Sequence, residues 1–324
     1  MTSAVSAGGT NNGVILTGAV RDVYSREVLF NAQPNLIYAQ FVDRQTDLTR
    51  EAGDTIKFTR YDDLRGSTRL SEVERMQTSH LSANMQSIEV EEHGFAISES
   101  ERLIRTSWDD VMGRATMLLG QHYGRTVDSL LRDEYRAAAA LQTFFPAAGI
   151  ANRAALALAN TLNVKAIKDG AERLAVNKAI KVGGAYVCVV HPHQARGLRD
   201  DQNWLDAHRY TTPAVNDIFM GEIGMIEGVR FIETTHSTVV KGATGDVFAD
   251  SVDTGEDQAV FNATLDVYQA LMFGGNAVGW AEALPVELRD NGVIDFGRQR
   301  ELGWYSIMGA GQIRPENAVA IETA

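Results

Sequence analysis

Two imidazoles stand one residue apart in His191-Pro192-His193, a spacing that could offer both rings to a divalent metal. The chain holds seven histidines, and no cysteine or carboxylate stands at matching spacing beside this pair. The triplet therefore reads better as the start of a helix after a buried strand. Gly221 with Gly224, and Gly309 with Gly311, could cradle phosphate, but neither pair sits in the G-x-G-x-x-G setting between strand and helix, and no G-K-[ST] triplet occurs. Glycine for positive φ or tight turns is the better account of both. Glu89, Glu91 and Glu92, or Asp200 and Asp201, could act as paired carboxylates in acid/base work. The first set alternates along a strand and the second caps or follows a short helix, so both read as solvated faces. Cys188, the one cysteine, lies inside an apolar run where a thiolate is disfavoured, and no G-x-S-x-G elbow exists. The reading assigns no catalytic, cofactor-binding or metal residue, and no enzyme.

The elements around these residues describe a packed protein instead. At 324 residues, 44% hydrophobic and 22% charged, the chain has room for two domains with a sizeable core. Thirty basic against 42 acidic residues give a net charge of -12, which argues against holding nucleic acid by neutralising phosphates. A lone cysteine allows no intrachain disulfide and fits synthesis in a reducing cytoplasm. The opening residues lack a signal-peptide pattern and no run of about 18 apolar residues occurs, so neither export by that route nor a membrane span is expected.

Along the chain, residues 1–13 are small, polar and Gly-rich and read as an arm that orders against a neighbour. Two short helical segments are expected on either side of Pro34 within residues 20–44. Residues 51–97 read as two strands separated by a polar tract over 62–84, too long for an idle connection and so expected to project toward a partner. Within it Arg60, Arg65, Arg69 and Arg75 interleave with Asp62, Asp63, Glu72 and Glu74. Such a mixed-charge ribbon suits docking on a copy of itself better than gripping DNA. Arg60, Arg65, Arg69, Glu72, Glu74 and Arg75 are the candidate intersubunit contacts. Ser107 is expected to cap a long helix that runs to Ala140, its apolar positions starting at Trp108 and recurring at three- and four-residue steps. A second helix is expected over 163–181, stopping at Gly183-Gly184, then a buried strand over 185–190. Residues 221–235 read as turn and strand, and 241–257 as a polar loop. The chain ends in two strand-like runs around Pro315. Trp304 to Met308 are expected beside the long helix and Val319 to Ile321 in a different sheet.

Gly94-Phe95-Ala96-Ile97, the apolar run ending in His191-Pro192, Gly221-Glu222-Ile223-Gly224 with Gly228-Val229-Arg230-Phe231, and Arg300-Glu301-Leu302-Gly303-Trp304-Tyr305 with Arg314-Pro315 resemble, in that order, a family of tailed-phage major capsid proteins. It is the coat family of large podoviruses, with the Hong Kong 97-type fold. The resemblance implies an α+β fold with an N-terminal arm (1–50) and an extended loop (51–95). It also implies a peripheral domain with a long spine helix (96–150 and 292–312) and an axial α/β domain (151–291 and 313–324). Residues 203–217 or 241–257 would be axial loops near the capsomer centre or rim.

The implied function is self-assembly as hexamers and pentamers into an icosahedral shell that encloses double-stranded DNA without sequence-specific binding. The implied partners are further copies of the chain, a separate scaffolding protein, a portal and a decoration protein, with no membrane. The implied location is the virion capsid after synthesis in the host cytoplasm. No residue pattern for an intersubunit isopeptide cross-link is present. Two alternatives stand beside this reading: an encapsulin-type nanocompartment shell, and a soluble α/β enzyme with its site near Cys188 and His191.

Overall fold

The computed structural model describes residues 36–45, 55–61, 78, 80–81, 83–108, 110–147, 149–204, 222–242, 246–249, 252–257 and 264–324. Residues 1–35 and 46–50 of the expected arm, most of the polar tract over 62–84 and most of the loop over 203–217 lie outside these residues.

A 29-residue helix, α2 (Val111–Ala139), runs through the molecule for about 44 Å. Its cap is Asp110, whose side chain accepts from the Gly113 N–H at 3.2 Å, and not Ser107 as expected. The chain breaks earlier into a separate short helix, α1 (Glu101–Thr106), capped by Ser100, and Ser107 is its extended C-cap. Trp108 thus leaves the apolar stripe and stands fully exposed. From Ala115 onward the stripe behaves as periodicity demands: Leu119, Tyr123, Val127, Leu131, Tyr135 and Ala138 are buried at three- and four-residue steps.

One face of α2 covers a four-stranded sheet. Its order is β1 (Asp43–Gln45), β13 (Val278–Ile294), β14 (Gln299–Gln312) and β4 (Glu91–Ser100). β13 and β14 form a long antiparallel hairpin, and its register shifts between Leu284 and Glu287, where Pro285 cannot donate to the ladder. β14 carries the alternation of the terminal run: Trp304, Ser306 and Met308 are buried, and the Trp304 indole N–H donates to His122 Nδ1 of α2 at 3.2 Å. The expectation that Trp304 to Met308 lie in a long strand beside the helix holds. β13 begins well before the expected domain limit at 291, which falls inside it.

The second sheet is mixed and has nine strands. Its main path is β11 (Val252–Asp257), β10 (Asp246–Ala249), β9 (Val239–Val240), β12 (Val267–Phe273), β6 (Tyr186–Val190), β8 (Val229–Glu233) and β7 (Glu222–Ile226). β15 (Ala318–Thr323) joins it through β12, with β5 (Thr143–Phe144) on its far side. Val319 to Ile321 therefore do lie in a different sheet from Trp304. β6 and β15 are buried at every position, as strands covered on both faces must be. Residues 241–257, expected as a loop, instead supply the β10–β11 hairpin, because β10 completes its ladder against β9.

α3 (Val164–Val176) begins where expected, capped by Asn163, but ends before the predicted glycine stop. Lys178 turns left-handed at φ 56°, and the N–H groups of Lys178 and Ala179 return to the carbonyls of Ala175 and Leu174. That pair of bonds closes the helix without glycine, and Gly183-Gly184 instead form the turn that leads into β6. A further helix, α4 (Pro192–Arg199), follows β6 directly. No described helix is long and apolar enough to cross a membrane.

Candidate assembly surfaces

The residues that could do chemistry hold the fold together. His191 is the N-cap of α4, its ring accepting from the His193 N–H at 3.2 Å while the Gln194 side chain returns to the His191 N–H. Both imidazoles pack on Tyr268. Among the described residues no group of three or more His, Cys, Asp or Glu side chains could hold a metal ion. Cys188 is completely buried in β6, and burial pushes its thiol far above the ordinary range. Gly228, at φ 73°, follows Glu227 at φ 52° in the tight turn between β7 and β8.

What the structure builds instead are surfaces that project from or dock onto the core. The first is a two-stranded ribbon, β2 (Thr55–Tyr61) paired antiparallel with β3 (Ala83–Glu89), from which the polar tract departs. Ile56, Phe58 and Ile88 seat the base of this ribbon on Ala281 of β13, with Val90 and Ile313 at the margin. β3 crosses β14 where Gly309 and Gly311 lie. A Cβ on Gly309 would stand 2.1 Å from the Glu89 carbonyl oxygen, and one on Gly311 would stand 2.7 Å from the Ile88 side chain. These two glycines permit a close backbone crossing, a role that neither phosphate binding nor a tight turn describes.

Arg60 lies at this base and pairs with Glu316 in the turn between β14 and β15, while Arg314 Nη2 donates to the Tyr61 carbonyl at 3.4 Å. Of the six candidate contact residues, the structure places Arg60 here, engaged within its own chain. Arg65, Arg69, Glu72, Glu74 and Arg75 lie outside the described residues. The pairing with Glu316 spans most of the chain, and no local sequence pattern announces it.

The second surface is where the N-terminal segment docks. A 3-10 turn (Tyr38–Gln40) sits against α2, and Asp128 accepts from the N–H groups of Ile37 and Tyr38, each at 2.8 Å. The Tyr135 hydroxyl donates to the Phe41 carbonyl at 3.2 Å, and the rings of Tyr38, Phe41 and Tyr135 gather around Phe273. β1 then adds in parallel to β13. The sequence places a short helical segment after Pro34 but does not single out Asp128. A carboxylate within the apolar stripe of an expected helix was the available signal.

The third surface is the far end of the β13–β14 hairpin. Phe296 at its tip is 105% exposed with φ 53°, and Trp108, in the break between α1 and α2, is 101% exposed. The Glu101 N–H donates to the Arg298 carbonyl at 2.8 Å, tying α1 to this end of the sheet, and Leu103 and Val293 are also exposed there. A bulky side chain on left-handed backbone in open solvent costs on the order of 1–3 kcal/mol, and among the described residues nothing covers it to offset that cost.

Residues 148–322 match the family model described as phage capsid protein. The capsid of Ralstonia phage GP4 shares the fold at a TM-score of 0.67 and 18% identity, with 87% of each chain covered. The cyanophage Pam1 capsid does so at 0.66 and 15% with 88% of each chain covered, and the capsid of cyanophage P-SCSP1u at 0.64 and 16% with 89% of this chain and 88% of the other. No curated protein sequence matches the chain. At such identities the structures establish a common fold, and that fold is the expected capsid fold.

Proposed function

This chain belongs to the phage capsid protein family, and on that premise we propose that it is the major subunit of an icosahedral shell, built as hexamers and pentamers around double-stranded DNA. The observation that carries the reading is the joining of a spine helix, a long hairpin sheet and a separate mixed sheet, with a ribbon leaving the body at its base. The spine helix with the β13–β14 sheet is the peripheral unit, and the nine-stranded sheet is the axial unit. Because the hairpin is one object, all of β13 goes with the peripheral unit. Interfaces between identical copies that close into rings are heterologous, so one copy's projecting surface meets a different surface on the next. The ribbon is that projection, its direction set by Arg60 through Glu316, and Arg65, Arg69, Glu72, Glu74 and Arg75 of the tract between its strands are the proposed contact residues.

A net charge of -12 suits a container that holds DNA by closure rather than by affinity. A separate scaffolding protein, a portal and a decoration protein are the partners this function calls for. The matching family is one of phage capsids, which does not favour an encapsulin-type shell, and its work is structural. Deleting residues 65–74 tests the reading: the subunit should keep its circular dichroism spectrum and lose shell formation in electron micrographs. Unchanged shells would overturn the contact role of the ribbon.

The hairpin tip gives a second expectation. Trp108→Ser with Phe296→Ser should change the unfolding free energy of the isolated subunit by less than about 0.5 kcal/mol, as exposed substitutions do. The same variant should assemble poorly, because exposed aromatics act as anchors when an interface covers them. Sedimentation of shells against free subunit reads the result, and wild-type yield would remove the tip from the assembly surfaces.

A further inference from the structure

We propose that Asp128 is a proton-dependent clasp, holding the segment at residues 36–41 on the spine helix more tightly when its carboxyl carries a proton. The inference stands on geometry within one chain, so it can fail without touching the capsid reading, and the reverse holds too.

The two N–H groups that Asp128 receives open the 3-10 turn, whose N-cap, Ile37, makes no side-chain cap bond of its own. A side chain about 90 residues away thus does the work of a cap. Both bonds fall on Oδ1. Oδ2 is buried with no hydrogen-bond partner, and so is the hydroxyl of Tyr38. An ionised carboxylate with one unsatisfied oxygen in an apolar site is costly, and a proton on that oxygen removes the charge while leaving Oδ1 free to accept.

The facing groups do not restore the charge. From α2, Arg132 is buried nearby, but its Nε and Nη2 both donate to Asp133 Oδ1, at 3.0 and 2.8 Å. Tyr135 on the same helix turns its hydroxyl to Phe41. From the docked segment comes Tyr38, whose phenol burial pushes well above its ordinary range, and from β6 comes Cys188, kept a thiol by burial. Burial pushes the Asp128 carboxyl up to about 7, against the pull of the N–H groups of Tyr38, Ile37 and Ala39 and of Arg132.

The sign follows. Undocking returns Asp128 to water and a pKa of about 3.9, so the docked state binds the extra proton. Docking is strongest below about pH 4, weakens as pH rises toward 7, and levels off above that. Between pH 5 and pH 8 this difference corresponds to about 100-fold in the docking equilibrium.

Hydrogen exchange of the full-length unassembled subunit measures it at the Ile37 and Tyr38 amides, with rates corrected for the intrinsic effect of pH. Protection should fall about 100-fold from pH 5 to pH 8 in the wild type and stay level in Asp128→Asn, while amides of β6 show no such slope. Protection independent of pH, or the same slope in Asp128→Asn, would overturn the clasp. Should that variant fail to fold, titration of the Asp128 carboxyl carbon in the wild-type subunit decides: a midpoint in the neutral range supports the clasp, and one near the ordinary carboxylate value overturns it.

Discussion

Gly309→Val should unfold or misplace the ribbon of residues 55–61 and 83–89, and should cost the subunit about 3 kcal/mol or more in stability. At this position an added Cβ would lie 2.1 Å from the carbonyl oxygen of Glu89 and 3.0 Å from its carbon. The obstacle is backbone, so no rotamer change relieves it. Either β14 must move, against its ladders to β13 and β4, or the junction between β3 and β4 must lift away from it. The second is easier, because it gives up only the small cluster of Ile56, Phe58, Ile88 and Ala281. Gly311→Ala supplies the contrast: its Cβ meets side-chain atoms of Ile88 at 2.7 Å, and a side chain can shift where a carbonyl cannot. The order of unfolding midpoints should therefore be wild type, then Gly311→Ala, then Gly309→Ala, then Gly309→Val. A Gly309→Val subunit as stable as the wild type would show that the crossing is looser than its geometry.

This crossing also marks where the sequence stops being legible. The β14 run was readable because Trp304, Ser306 and Met308 obey a period of two, and α2 because Leu119, Tyr123 and Val127 obey a helical one. Periodicity reports which face of an element is buried. It does not report which distant backbone will press on that face, so Gly309 and Gly311 read as turn glycines when they are strand residues under a crossing chain. The helix start was misplaced for a related reason. Ser107 and Asp110 are both good caps, and the choice fell to Asp110 because α1 ends by tying the Ser107 N–H to the Leu103 carbonyl. The end of α3 was missed because Lys178 takes the left-handed conformation that glycine usually supplies.

The assembly surfaces were legible to differing degrees. The mixed-charge ribbon stood out as a long polar interruption between two strands, and its base lies where two strands were expected. Its attachment was hidden, since Arg60 meets Glu316 and Arg314 meets Tyr61 across some 250 residues of chain. The exposed tip was hidden in the opposite way. Trp108 fits an apolar stripe by its spacing, and only the interruption between α1 and α2 turns it outward. Pairings far apart in sequence and breaks within a periodic stretch both depend on tertiary packing, and a single sequence carries neither directly.

Arg153→Ala should be among the most damaging single substitutions in the mixed sheet. Arg153 donates through Nε to Glu322 Oε2 at 2.8 Å and through Nη2 to Oε1 at 2.6 Å, a two-bond pairing with the last strand. Glu322 is 1% exposed, and the Gln269 amide also donates to its Oε1, at 2.7 Å. Removing the guanidinium leaves a buried carboxylate nearly alone, a change that costs about 3–5 kcal/mol where a buried pair is broken from one side. Arg153 is itself one-fifth exposed, so water can enter the gap and hold the loss toward the lower end of that range. The consequence falls on β15, because Glu322 sits opposite Gln269 in the ladder that joins β15 to β12, and β15 closes the sheet against β5. Arg153→Met with Glu322→Leu should recover most of the loss, since an apolar pair needs no charge compensation. Chemical denaturation of the three proteins separates the terms. If Arg153→Ala and the double variant lose the same stability, the pair contributes packing and not charge, and the account of β15 as an electrostatically fastened strand fails.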